Sequence, residues 1–186
     1  MSSEPLPFGF ERVTGSRHIH EGRIVNLRDD TVELADGRTA QREIVEHAEV
    51  VAIVPVDADG SVILVRQYRH PARDSLLEIP AGGVDSGEGI EEAAQRELKE
   101  EIGYRAGHLE RLSGFYVAPG YCTEFIHLFR ATSLTESEIG GDEDENIAIE
   151  RVPLAEALRL IETDEIKDAK SIIGLLLLDR QRMESE

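Results

Sequence analysis

"EEAAQRELKEEIG", residues 91–103, has the composition of a solvated helix but not the pattern of one. At about 100° per residue, Ile90, Ala93, Ala94 and Leu98 form one apolar stripe, and Glu97 and Glu101 fall inside it. Glu91, Glu92, Gln95 and Lys99 already supply the outer face, so solubility does not require two more carboxylates among the core contacts. An ionised carboxylate on a buried or half-buried face costs several kcal/mol unless it is paired, protonated or bound to a cation. Glu97 and Glu101 form an i, i+4 pair about 6 Å apart at Cβ; Glu100 lies beside them, and Arg96 alone cannot neutralise three charges. Hard oxygens clustered this way suit Mg²⁺ or Mn²⁺, which take carboxylates and keep several waters. The stretch reads as a helix in which a divalent metal replaces a core contact.

The flanks of the helix agree with this reading. Upstream, "LEIPAGGVDSGEG" (77–89) runs a short apolar piece into a loop carrying Gly82, Gly83, Gly87 and Gly89, residues that let a backbone approach a ligand closely. Downstream, Gly103 stands where a C-cap glycine belongs. Further out, "VVAIVPV" (50–56), the turn Asp57–Gly60 and "SVILVRQYR" (61–69) read as a hairpin. Residues 18–47 alternate in short segments, including "RIVNL" and "TVEL", around the turn Asp36-Gly37, which predicts a small antiparallel β unit. Strand-like sequence returns in "LERLSGFYVA", "EFIHLFRAT" and "IAIERV", with the acidic loop "GGDEDEN" (140–146) before the last of these. "LAEALRLIE" and "AKSIIGLLLLDRQRM" close the chain as helices, the second apolar enough to be largely buried. The fold class is α/β, with an N-terminal β unit over 1–47 and the main domain over 48–186.

A formal charge of −18 on 186 residues repels nucleic acid and anionic lipid, so neither is expected as a partner. An anionic substrate meets the same repulsion, and a phosphate-handling site therefore needs bound metal or placed arginines. Cys122 is the single cysteine, which excludes an intrachain disulfide framework. The N-terminus lacks the basic and apolar regions of a signal peptide. The greasiest run, "IIGLLLL" (172–178), is far short of the roughly 20 residues that span a bilayer. A cytoplasmic location is expected.

From Gly82 the order is five residues, Glu88, seven residues, Arg96-Glu97-Leu98, one residue, Glu100-Glu101, one residue, Gly103. This resembles the full Nudix box, with every fixed position filled; Tyr104 departs from the more usual aliphatic residue and touches packing alone. The resemblance implies a Nudix-type α/β/α sandwich around a mixed β-sheet, cleaving nucleoside diphosphates linked to another moiety with Mg²⁺. It implies metal held by Glu97, Glu100, Glu101 and the backbone carbonyl of Ala81, with Gly82, Glu88, Arg96 and Gly103 supporting the loop and helix.

Pro119, fifteen residues beyond Tyr104 in "FYVAPGYCTE", together with "REIVEH" (42–47), "VRQYR" (65–69), "LEIPAGG" (77–83) and "DEDENIAIERV", is similar to the ADP-ribose and nucleoside-diphosphate-sugar pyrophosphatase branch. That branch implies a homodimer exchanging its N-terminal β unit, with the nucleotide pocket shared between subunits. It implies Arg69 on the diphosphate or terminal ribose, Gly83 on the substrate backbone, Pro119 in the substrate site, and Arg23, Ile24 and Glu43 on the adenosine end. A glutamate before the last strand takes the proton of the attacking water; alignment on "ENIAIERV" places it at Glu145, with Glu143 reached by a two-residue slip. The expected reaction converts ADP-ribose to AMP and ribose 5-phosphate. A broad hydrolase of sugar nucleotides such as GDP-mannose or ADP-glucose is the alternative, and a non-catalytic nucleotide sensor is the third reading. The chain has no Trp, so a stacked base would use Phe, Tyr, His or Arg, with Phe8, Phe10 and His20 as candidates.

Overall fold

Strand β4 (Val50–Pro55) is buried along its whole length, and its two faces look at different helices. Val51 and Ile53 pack with Ala93, Ala94, Leu98 and Ile102 of α1 (Ile90–Ile102). Val50, Ala52 and Val54 pack instead with Ala157 of α2 (Leu154–Glu162) and Leu175 and Leu178 of α3 (Ala169–Ser185). A continuous apolar strand covered on both faces is the signature of a sheet sandwiched between helices. The computed structural model in which this arrangement is seen describes residues 8–138 and 146–185.

The chain divides into two compact units: Met1–Ala48 with Tyr116–Glu124, and Glu49–Phe115 with Phe125–Glu186. In the larger unit, one sheet has the order β7 (Ala81–Gly83), β4, β9 (Phe125–Glu136), β8 (Tyr104–Tyr116). It is mixed, because β4 runs parallel to β9 and antiparallel to β7. A second, antiparallel sheet has the order β10 (Ile147–Pro153), β5 (Ser61–Arg69), β6 (Asp74–Glu78).

The hairpin expected between residues 50–56 and 61–69 forms only at its turn. The turn exists, closed by Asp57 N–H to Ser61 O at 2.8 Å, and Val56 bridges Val62. Beyond that bridge β4 and β5 part into different sheets. Val62 and Leu64 lie in one core and Ile63 and Val65 in the other, so β5 is itself a central strand and takes its own neighbours on either side.

The cap residues of α1 set its length. Gly89 is extended, and its N–H donates to the Glu92 carboxylate at 3.1 Å, while Gly103 ends the helix in the left-handed region at φ 71°. Helix α3 is less enclosed than its composition suggested. It buries a stripe of Ser171, Gly174, Leu175 and Leu178 and leaves Leu176 51% exposed. Gly174 allows the close approach, since a Cβ there would sit 2.8 Å from Val54 Cγ2.

The smaller unit is built on an antiparallel sheet of β1 (Arg12–Glu21), β2 (Val25–Glu33) and β3 (Thr39–His47). Strand β1 begins six residues before the alternation visible in the sequence. It is exposed throughout and is held by its ladder to β2, so no hydrophobic period marks it. Among the described residues, no helix is long and apolar enough to cross a membrane.

Candidate active site

The carboxylates that interrupt the stripe of α1 are buried, Glu97 and Glu101 at 7% exposure each. Arg96 lies among them as a hub. Its Nε and Nη2 each meet the Glu88 carboxylate at 2.9 Å, its Nη1 meets Glu97 at 2.6 Å and Glu100 at 3.0 Å, and its Nη2 also donates to the Gly83 carbonyl at 2.8 Å. One side chain therefore ties the helix to the strand and the loop before it. The hydrogen bond from Arg96 and a second from the Asp85 N–H at 3.1 Å hold the Glu88 carboxyl below the usual carboxylate range. The hydrogen bond to Glu88, against the opposing cost of burial and with the charge of Glu97, moves Arg96 still further from neutrality.

Strand β7 comes close against this helix. The Ala81 N–H donates to Glu101 at 3.2 Å. Gly82 faces Glu97 so closely that a Cβ at that position would overlap the whole carboxylate. A side chain here would displace the Glu97 carboxylate, so the constraint is one of space and not of backbone angle.

Glu88, Glu97, Glu100 and Glu101 make four carboxylates around the one guanidinium of Arg96. Among the described residues, no three His, Cys, Asp or Glu side chains converge in a geometry that would hold a metal ion. Glu97 and Glu100 turn toward Arg96, and Glu101 toward the Ala81 N–H. Their chemistry still fits a hard divalent cation: anionic oxygens within one helical turn, a strand backbone alongside, and a local excess of negative charge.

Glu78 is a second buried carboxylate, and its surroundings differ. It ends β6, is 2% exposed, and accepts two hydrogen bonds from Arg69, Nε and Nη2 each at 2.9 Å. Lys170 of α3 pairs with it from the other side and also reaches Asp168 at 2.9 Å. Burial alone would raise this carboxyl; the hydrogen bond from Arg69 and the charges of Lys170 and Arg69 outweigh it and hold the group below the usual range. Ser171, fully buried, accepts the Ile79 N–H at 2.8 Å, which fastens the segment leading to Ala81 onto the first turn of α3. Arg69 stands out in the sequence, whereas Glu78 and Lys170 do not. No local pattern joins residues 92 positions apart.

The structure thus brings Ala81, Gly82, Gly83, Glu88, Arg96, Glu97, Glu100 and Glu101 together in the larger unit, which also contains Arg69. Arg23, Ile24, Glu43 and Pro119 belong to the smaller unit. Glu43 and Pro119 line one cavity of about 550 Å³ there, with Arg28, Arg42, Tyr116 and Tyr121. Arg23 and Ile24 are not among its lining residues. Arg42 is paired with Glu11 at 2.5 Å and Arg28 with Asp30 at 3.1 Å. The two tyrosines flank Pro119 in sequence and are exposed, so an aromatic search centred on that proline would have found them. Phe8, Phe10 and His20 are exposed and do not line that cavity. Glu143 and Glu145 lie outside the described residues.

A NUDIX domain model matches residues 39–173, and a model of the nucleoside diphosphate sugar hydrolase N-terminal domain matches residues 11–45. The chain is 38% identical over 170 residues to an ADP-ribose pyrophosphatase of Bacillus subtilis, covering 90% of this chain and 92% of that protein. It is 39% identical over 173 residues to a methanol dehydrogenase activator of Bacillus methanolicus, covering 92% and 94%. The crystal structure of an ADP compounds hydrolase superposes with a TM-score of 0.86 at 28% identity, over 98% of each chain.

Proposed function

The chain belongs to the Nudix hydrolase family, and on that premise we propose that it hydrolyses the diphosphate of ADP-ribose to AMP and ribose 5-phosphate. Members of the family generally need divalent metal ions, and we assign that ion here as Mg²⁺, with Mn²⁺ able to substitute. The observation that carries the reading is the excess of carboxylate over guanidinium on the inner face of α1, placed against the glycine strand β7. A net charge of −18 disfavours a pyrophosphate unless positive charge is supplied locally.

Glu97, Glu100, Glu101 and the carbonyl of Ala81 would hold the metal, which when bound offsets the charge of the diphosphate and acidifies a water. Arg96 keeps the helix, the loop at Glu88 and the Gly83 backbone in one arrangement. Arg69 receives the diphosphate or the terminal ribose, and Gly83 lies along the substrate. Glu145 takes the proton from the attacking water, a step suited to a carboxylate that remains ionised at neutral pH. Arg23, Ile24 and Glu43 are assigned to the adenosine end, and Pro119 to substrate binding.

The chain works as a cytoplasmic homodimer in this account, with residues 1–47 as the exchanged β unit and 48–186 as the catalytic domain. Support comes from β1, which is exposed along its length and displays Val13 and Ile19. A three-stranded sheet needs a covered hydrophobic face for independent stability, and a second copy would supply it.

The test is nucleoside monophosphate release from ADP-ribose, ADP-glucose, GDP-mannose and UDP-glucose, each with Mg²⁺ and with EDTA. Turnover dependent on Mg²⁺ and greatest on ADP-ribose is expected. Equal rates on all four would replace ADP-ribose specificity with broad sugar-nucleotide hydrolysis. Binding of ADP-ribose without turnover would replace hydrolysis with sensing.

A further inference from the structure

We propose that Glu78 is a positioning residue for substrate binding, acting through Arg69, with Lys170 and Asp168 holding it in place. The inference rests on the reading above that Arg69 receives the diphosphate or terminal ribose.

Arg69 ends β5, and its side chain remains 39% exposed while that of Glu78 is 2% exposed. The contact is a fork on a carboxylate, with Nε and Nη2 both at 2.9 Å. A bidentate pair fixes the plane of the guanidinium as well as its place, which a single hydrogen bond or a point charge does not. An arginine that must meet a phosphate gains from being held this way before the substrate arrives, because the ordering of its long side chain no longer opposes binding.

Glu78 is positioned in turn from behind. Lys170, 11% exposed, bridges Glu78 and Asp168, and Asp168 also accepts the Ser171 N–H at 3.0 Å. Ser171 accepts the N–H of Ile79, the residue after Glu78. The carboxylate is therefore anchored through its own side chain and through the adjoining backbone, both by the first turn of α3. This is more than a surface pair requires, since an exposed pair contributes little and fixes no geometry. It matches the recurrent logic of binding sites, in which the group that touches the ligand is oriented by buried partners that do not.

The experiment is a double-mutant cycle on the full chain, with ADP-ribose as substrate and KM, kcat and Tm measured for wild type, Glu78→Gln, Arg69→Ala and the double variant. Glu78→Asp, which keeps the charge and shortens the reach, is the second single variant. The expected result is that Glu78→Gln raises KM about ten-fold with a smaller change in kcat, and that adding it to Arg69→Ala raises KM no further. Glu78→Asp should fold and show an intermediate KM. Additive effects of the two substitutions on KM would overturn the proposal, because Glu78 would then act independently of Arg69. Failure of both Glu78 variants to fold would also overturn it and assign the residue to stability. Wild-type kinetics in Arg69→Ala would remove the premise about Arg69, and the hydrolase reading, which the metal-dependent panel tests separately, would stand or fall on its own.

Discussion

Two buried carboxylate clusters in the same unit are balanced in opposite ways. Glu78 is one carboxylate between two cations, Arg69 and Lys170. On α1, one guanidinium, Arg96, meets Glu88, Glu97 and Glu100, with Glu101 directed to the Ala81 N–H. Burial penalises every one of these charges, and what differs is where the compensation comes from. Glu78 is compensated by the chain itself, which is the condition for a fixed strut. The α1 cluster gathers several carboxylates around one guanidinium, the arrangement on which the proposed metal site rests.

The largest effects are expected on α1. Glu97→Gln or Glu101→Gln should lower kcat by about 10³-fold, with a Tm near that of wild type, because removing one of several like charges relieves repulsion. Monophosphate release and thermal unfolding check the two halves of that statement. Near-normal turnover in both variants would detach the buried carboxylates from the chemistry.

Gly82→Ala is expected to act at one remove. Its methyl would occupy the place of the Glu97 carboxylate, and the displaced side chain should cost about 10²-fold in kcat and about 1–3 kcal/mol of stability. A variant with wild-type rate and stability would mean that Glu97 can move aside without consequence.

The smallest effect separates the clusters by pH. The folded-state pKa of Glu78 lies below its ordinary value, so its stabilisation is fully present above the unfolded value, about 4.3, and is lost as pH falls through the folded value. Urea unfolding at neutral pH and at several points below that value should show a shallower acid loss in Glu78→Gln than in wild type. Identical slopes would mean that the buried pair contributes nothing to acid stability.

What could be read from the sequence follows the range of each interaction. The stripe of α1, with its misplaced carboxylates and its Gly103 stop, is a local pattern with a 3.6-residue period, and the structure buries Glu97 and Glu101 where the wheel puts them. The helices at 154–162 and 169–185 were legible for the same reason. The hairpin turn between β4 and β5 is legible in the sequence but the extent of their pairing is not, because adjacent apolar runs look the same whether they pair or become central strands of separate sheets. That choice is made by β9 and β10, which are distant in sequence, together with β6 and β7, which follow β5 in the chain. Glu78 and Lys170 were invisible for a related reason: their contact is made when α3 docks on the core. The tyrosines beside Pro119 were present in the quoted motif, but aromatic exposure is a property of the fold, and composition alone did not rank them above Phe8 or Phe10.

The most direct test of the central claim, that the α1 cluster is a cation site and the Glu78 cluster is not, is a Mn²⁺ titration followed by electron paramagnetic resonance. Wild type, Glu97→Gln and Glu78→Gln would be compared without substrate. Saturable binding is expected in wild type, weakened at least about ten-fold in Glu97→Gln, and unchanged in Glu78→Gln. Equal affinity in wild type and Glu97→Gln, or loss in Glu78→Gln alone, would contradict the claim.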